Sequence, residues 1–230
     1  MVTIRRAGVA FGLVMALAAA GCSGGSARGE TSGTAPGAAG AAPGSPTTEV
    51  TDADLKAMLL TIADMPAGWS VDPTDSSNGT TESSGMPACL QQLDSVGPGP
   101  SDPSAEAKFV GSAAGLPAAD ETIGPFGPDA SSTFDEASAL LSSCADVSFD
   151  TGGQHISGTM ATLSFPDLGD ESAAWRMSFT VQGMPLSIDL ALVRRGDLGV
   201  LVSAAYLGSA DPRFLQTMAI KALAKLPAST

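Results

Sequence analysis

Between Ala173 and Leu207 apolar and polar residues alternate in three successive runs. Trp175, Met177, Phe179 and Val181 stand against Arg176, Ser178 and Thr180. After Gln182-Gly183-Met184-Pro185 the period returns as Leu186, Ile188, Leu190 and Leu192 against Ser187, Asp189 and Ala191. Past Arg195-Gly196-Asp197 it appears again, with Leu198, Val200, Val202, Ala204 and Tyr206 on one side. Side chains on a strand point to opposite faces in turn, so a period of two predicts a sheet with one oily face. Gly and Pro at the two breaks bring consecutive strands back antiparallel. The pattern places Trp175, Phe179, Ile188, Leu190, Val200 and Val202 on one buried face. Asp189, Ala191, Gly199, Leu201, Ser203 and Ala205 fall on the other, a small mixed surface that either receives a helix or floors a cleft.

Helical periods flank this meander. Leu55, Met58, Leu59 and Ile62 form one stripe after Thr51-Asp52, and Asp64-Met65-Pro66-Ala67-Gly68 ends it. Trp69-Ser70-Val71 reads as a short strand entry, and residues 72–87 as a polar loop. Met86 to Leu93 reads as a short helix carrying Cys89. Ala107 to Ser112 and Glu121 to Phe126 are further strand candidates. Phe134 to Cys144 is a helix capped by Ser132 or Thr133, and Ile156 to Phe165 a strand leading into the meander. Asp211-Pro212 is an N-cap with Pro at the first helical position. The helix it opens carries Leu215, Met218 and Leu226 inward to cover the oily face, with Lys221 and Lys225 near its negative end. Helices, a strand meander and a closing helix make an α+β domain with an antiparallel sheet of four to six strands.

The N-terminus changes the setting of that domain. Arg5 and Arg6 precede an apolar run from Ala7 to Ala20, too short to span a bilayer, and small residues lead to Gly21-Cys22. Residues 1–21 thus read as a secretory signal peptide. Ala19-Ala20-Gly21-Cys22 resembles the lipobox of bacterial lipoproteins, which implies lipidation of Cys22 and anchoring by acyl chains, palmitate among them. Residues 22–49 follow as the lipidated cysteine and a disordered tether of Gly, Ser, Ala, Thr and Pro, whose reach is about 30 Å. Residues 50–230 suit a single domain. The expected location is the outer, extracytoplasmic face of the cell membrane.

Cys89 and Cys144 remain, in an oxidising compartment where such pairs close. A Cys89–Cys144 bridge spans residues 89 through 144, and the chain-entropy model gives such a loop about 4 kcal/mol. Two free buried thiols are the alternative. The formal charge of −13 becomes −15 once the signal, with two arginines and no acids, is removed. A chain this acidic is repelled by phosphate backbones, so nucleic acid is excluded as a partner class.

Candidate chemistry is sparse. His155 is the only histidine, so one chain builds neither a Ser-His-Asp arrangement nor a His-based zinc site. Glu49, Asp52, Asp54 and Asp64 read as helix-cap and solvated acids, as do Asp129, Asp135 and Glu136. Arg194-Arg195-Gly196-Asp197 is the one charge cluster on an ordered element, read as a hairpin tip or as a contact for an acidic partner. Trp69 and Trp175 read as core. No cofactor and no metal are expected, and the ligand-binding residues are unknown.

The signal with Cys22, the tether, Asp64-Met65-Pro66-Ala67-Gly68-Trp69, the Cys89 and Cys144 pair and the strand-rich finish resemble an actinobacterial sensor-domain lipoprotein. They are similar to the disulfide-containing extracellular sensor domains of actinobacterial receptor serine/threonine kinases, with PsbP-like exported lipoproteins as neighbours. Those kinase domains commonly carry two disulfides, and after Cys22 this chain has cysteines for one. The resemblance implies an antiparallel sheet flanked by helices, a cleft for a ligand, and no catalysis. The expected function is a non-catalytic ligand- or protein-binding domain whose partners are the membrane and a small molecule or envelope protein. An exported hydrolase of envelope substrates and a structural lipoprotein of an envelope complex are the alternatives.

Overall fold

The structure is a computed structural model that describes residues 50–72, 92, 96, 103–151 and 154–228. Among these, one antiparallel sheet of eight strands carries three α-helices. In chain order the elements are α1 (Asp52–Met58), a 3-10 turn (Ile62–Asp64), β1 (Ser70–Val71), β2 (Ala105–Val110), β3 (Ala118–Pro125) and α2 (Ala130–Ser143). Then follow β4 (Asp146–Thr151), β5 (Gln154–Thr162), β6 (Glu171–Val181), β7 (Met184–Arg195), β8 (Leu198–Leu207) and α3 (Pro212–Lys225). The strand order is β1-β2-β3-β8-β7-β6-β5-β4. Helix α2 carries the chain from β3 to the far edge, and the meander β4 to β8 walks back until β8 pairs with β3.

The α+β class and the closing helix agree with the sequence, and the sheet is larger than the four to six strands expected. Strand β4 escaped notice because Asp146, Ser148, Asp150 and Thr151 leave it only Val147 and Phe149 as apolar signal. Helix α1 is also shorter than its stripe. It stops at Met58, where Leu59 turns extended (φ −65°, ψ 152°). The chain restarts as a 3-10 turn because the Asp64 carboxylate accepts from Thr61 N at 2.7 Å and from Thr61 Oγ1 at 2.9 Å. Ile62 is consequently exposed rather than part of the apolar stripe. Helix α2 opens at Ala130, earlier than the expected Ser132 or Thr133 cap, and Thr133 Oγ1 donates instead to the Phe126 carbonyl at 3.2 Å. The helix expected over Met86 to Leu93 lies almost wholly outside the described residues, with Gln92 helical.

The larger correction concerns which residues share a face. Two-residue turns join β6 to β7 and β7 to β8, with Val181 opposite Met184 and Arg195 opposite Leu198. In the first turn Gln182 (φ 51°) and Gly183 (φ 79°) both take the left-handed conformation that matches strand twist. A two-residue turn pairs odd positions with even ones. Trp175 therefore faces Leu190, and Leu190 faces Ser203, not Val200 or Val202. Trp175, Phe179, Ile188 and Leu190 lie under α2, in a core with Phe134, Ala137 and Leu141. Val200 and Val202 lie on the opposite face under α3, with Ala191, Val193, Leu215, Met218 and Leu226. The six residues from Ile188 to Val193 are consecutively buried, as a strand covered on both sides requires.

Small residues let α3 approach. Ala119, Ala191 and Ala204 on the sheet are fully buried beneath Ala219 and Ala222 of the helix. The helix is pinned at both ends. Asp211 caps its start by accepting from Arg213 N at 2.9 Å, and Arg195 Nη1 donates to the Leu223 carbonyl at 2.7 Å.

Each face thus carries its own core. Leu190→Ala beneath α2 and Leu215→Ala on the inner face of α3 should each lower stability by about 2–5 kcal/mol. With the sheet between them, the double variant should show the sum of the two losses to within about 0.5 kcal/mol. Urea unfolding of the three variants measures this, and a negligible loss at either site would mean that its face is not packed.

Candidate functional site

Helix α2 lies across β5 to β8 and leaves part of its own face open. There a small depression is lined by Leu116, Ala118, Asp120, Leu186, Ile188, Ser203 and Ala205. Register builds it. Ala118 pairs with Ala205 and Asp120 with Ser203 across β3 and β8, while Ile188 of β7 pairs with Ala205. Three short side chains in this patch leave the space, and Leu186 and Ile188 form its apolar wall. Ser203 Oγ donates to Asp120 Oδ2 at 3.0 Å, which places one bonded polar pair at the inner end of an apolar surface. Met184 and Leu207, both about half exposed, extend that surface on the same face.

Asp120 is set apart by its surroundings. Burial pushes its carboxyl up to about 6, and Glu106 and Asp72 add to the rise, against the Ser203 hydroxyl and Lys108. Lys108 is committed to Glu106 at 2.8 Å, so it neutralises Asp120 only in part. The next residue of β3 points the other way. Glu121 is 0% exposed beneath α1 and α3, and burial lifts its carboxyl to about 7. Its Oε2 accepts from Leu60 N at 2.5 Å, while Oε1 has no hydrogen-bond partner. Neither acid was singled out from the sequence. The available signal was an acidic pair, Asp120-Glu121, at the start of the strand candidate Glu121 to Phe126: neighbours on a strand point to opposite faces, so a two-sided sheet buries both.

The residues that the sequence did single out fall elsewhere. Of the six assigned to the minor face, only Ser203 and Ala205 line the depression. Asp189 and Ala191 face α3, and Gly199 is covered by Phe126, whose ring would lie 2.0 Å from any added Cβ. Asp189 is buried and held by Arg176 through two bonds, Nε to Oδ1 at 2.5 Å and Nη2 to Oδ2 at 2.7 Å. Tyr206 lies near this pair, its phenol shifted up chiefly by burial and its hydroxyl unpartnered. The hairpin-tip cluster is consumed internally: Arg194 binds Glu171, Asp170 and the Gly196 carbonyl, and Arg195 caps α3. His155 is exposed on β5, on the face opposite Ser203. Trp175 is fully buried and donates to Ser142 Oγ at 3.2 Å, whereas Trp69 is half-buried and stacks on Phe214 at 4.9 Å.

Asp54 caps α1 with Thr51, and Asp64 caps the 3-10 turn. Asp52, Asp129, Asp135 and Glu136 are exposed around helix starts. Cys144 is buried at the end of α2, while Cys22, Glu49 and Cys89 lie outside the described residues. Among the described residues no three His, Cys, Asp or Glu side chains group as a metal site, and no helix is long and apolar enough to cross a membrane.

No protein-family model matches the chain, and no curated protein matches it in sequence. Among solved structures it is similar to the extracellular domain of PknH from Mycobacterium tuberculosis. That match has 13% identity and a TM-score of 0.54, and covers 77% of this chain and 97% of that one. An uncharacterized protein from Mycobacterium smegmatis matches with 14% identity and a TM-score of 0.42, over 76% of this chain and 94% of that one. The first likeness is one of fold.

The shift at Asp120 has a measurable sign. A carboxyl whose folded value stands above its ordinary 3.8 favours the folded state at low pH, and that contribution is lost as pH rises through about 6. Asp120→Asn should therefore remove part of the decline in stability between about pH 4 and pH 7. The gain over wild type should grow across that window to on the order of 1–2 kcal/mol, allowing for the group's partial exposure. Urea melts of both proteins across the window measure it, and parallel curves would contradict the assignment.

Proposed function

We propose that the chain is a membrane-anchored extracytoplasmic lipoprotein whose single α+β domain, residues 50–230, binds a ligand or a protein and does no catalysis. The observation that carries this reading is the likeness in fold to an extracellular domain, nearly all of which is covered. It is joined by a signal-like N-terminus that ends in Cys22. The lipid on Cys22 and the tether of residues 23–49 hold the domain at the outer face of the membrane, and a Cys89–Cys144 bridge ties the end of α2 to the segment before β2.

The chemistry of the depression supports binding over turnover. A serine on a carboxylate lacks a base strong enough to make an alkoxide, and His155 is on the other face of the sheet. An apolar wall with one convergent polar pair is the usual composition of a ligand site in miniature.

Mass spectrometry of the unreduced chain purified from its own host tests the anchor and the ligand together. Under denaturing conditions the expected mass is that of a chain beginning at an acylated Cys22 and two hydrogens short of the reduced form. Under native conditions a small molecule should add to it, and Asp120→Asn should weaken that adduct. A bare native mass together with an unmodified N-terminus would overturn the reading. Cys22→Ser should move the protein from the membrane to the soluble fraction, and retention in the membrane would contradict the anchor.

A further inference from the structure

The stretch from Val50 to Pro66 is the part of the fold nearest in sequence to Cys22, and it is held to the sheet in two ways. Leu55, Leu59, Leu60 and Met65 are buried in the α3-side core. Around them runs a polar set. Leu60 N donates to Glu121, Lys225 Nζ donates to the Leu59 carbonyl at 2.9 Å and pairs with Asp64 at 2.7 Å, and Lys221 bonds the Asp64 carbonyl. Glu121 is the unbalanced member. A carboxylate offers about four acceptor positions, and here one backbone N–H fills one of them.

The charged groups that face Glu121 are few. Lys225 of α3 favours its ionised form, but that cation is shared with Asp64, whose own charge opposes ionisation of Glu121. The strand neighbours in register, Ala107 of β2 and Val202 of β8, bring no charge. A charge formed at this point has to gain water or more donors, since a buried unpaired ion is costly. Strand ladders close two sides and the apolar core closes a third. Residues 59–64 are the thin wall, with Thr61, Ile62 and Ala63 exposed on its outside.

We propose that Glu121 is a proton-operated latch on the N-terminal segment: neutral, it keeps residues 59–64 seated on the sheet; ionised, it drives them to open. The latch senses the pH of the compartment outside the membrane and transmits it to the end of the fold that leads to the anchor. It acts within the fold and does not depend on what the domain binds. The direction follows from burial, which holds the carboxyl at about 7, so that opening is favoured as pH rises through neutrality.

Hydrogen exchange of the full chain at about pH 5.5 and about pH 8.5, corrected for intrinsic exchange rates, reads the latch directly. Protection across residues 52–66 should fall roughly tenfold or more at the higher pH, while protection across β6 and β7 falls much less, by the share that Asp120 contributes to the stability of the whole fold. Glu121→Gln should abolish the difference. Lys225→Met, which removes the cation favouring ionisation, should move the wild-type midpoint to higher pH. Unchanged protection in the wild type, an equal loss across β6 and β7, or the same fall in Glu121→Gln would overturn the proposal. Should the Gln variant not fold, the wild-type midpoint and its displacement in Lys225→Met decide the question alone.

Discussion

Everything in this fold depends on the central strands β3, β7 and β8 being buried on both faces. Six consecutive residues of β7 are withdrawn from water, and no alternation of one oily and one wet side is left there. A sheet of this kind is stable only between two layers, because each uncovered apolar face would cost about 25 cal/mol for every Å² left in water. The chain meets the demand with α2 on one side and with α1 and α3 on the other. The alanines beneath α3 and the bulky Trp175, Phe179 and Leu190 beneath α2 give the two layers different depths.

Two-sided burial also explains the electrostatics. An acidic pair in mid-strand is unremarkable at an edge, where both carboxyls reach water. In β3, third from one edge and bonded to β2 and β8, it puts Asp120 into an apolar depression and Glu121 into a core. Both are pushed up by burial; at Asp64 burial is also the largest single influence and raises the carboxyl, but the bonds from Lys225 and Thr61 together outweigh it and draw the group down to about 2. These three groups together favour the folded state most at mildly acidic pH. Asp64 supports the fold above its ordinary value and loses that contribution toward pH 2. The buried pair weakens the fold progressively between about pH 4 and pH 7.

The polar contacts around α3 link these features. Lys225 touches the Leu59 carbonyl, the Asp64 carboxylate and the field of Glu121, so one side chain near the helix terminus serves the 3-10 turn and the buried acid at once. Its position suits the negative end of the helix dipole as well. Arg195 closes the same helix from the β7–β8 hairpin. Arg194 and Arg195, which the sequence offers to an acidic partner, are therefore spent inside the domain, which leaves the depression beside Asp120 as the surface with chemistry to offer.

The sequence by itself determined the local elements. The period of two fixed β6, β7 and β8, and Asp211-Pro212 fixed the start of α3, since these signals act between residues close in the chain. It also determined that the strands return antiparallel. What it left open was decided by pairing between residues far apart. The two-residue turns set the parity that moved Val200 and Val202 to the opposite face from Leu190. The pairing of β3 with β8 made Asp120 and Glu121 central rather than peripheral. Alternation tells which residues of one strand share a side, but the side itself is a property of register, and register is settled only when turns and layers close together.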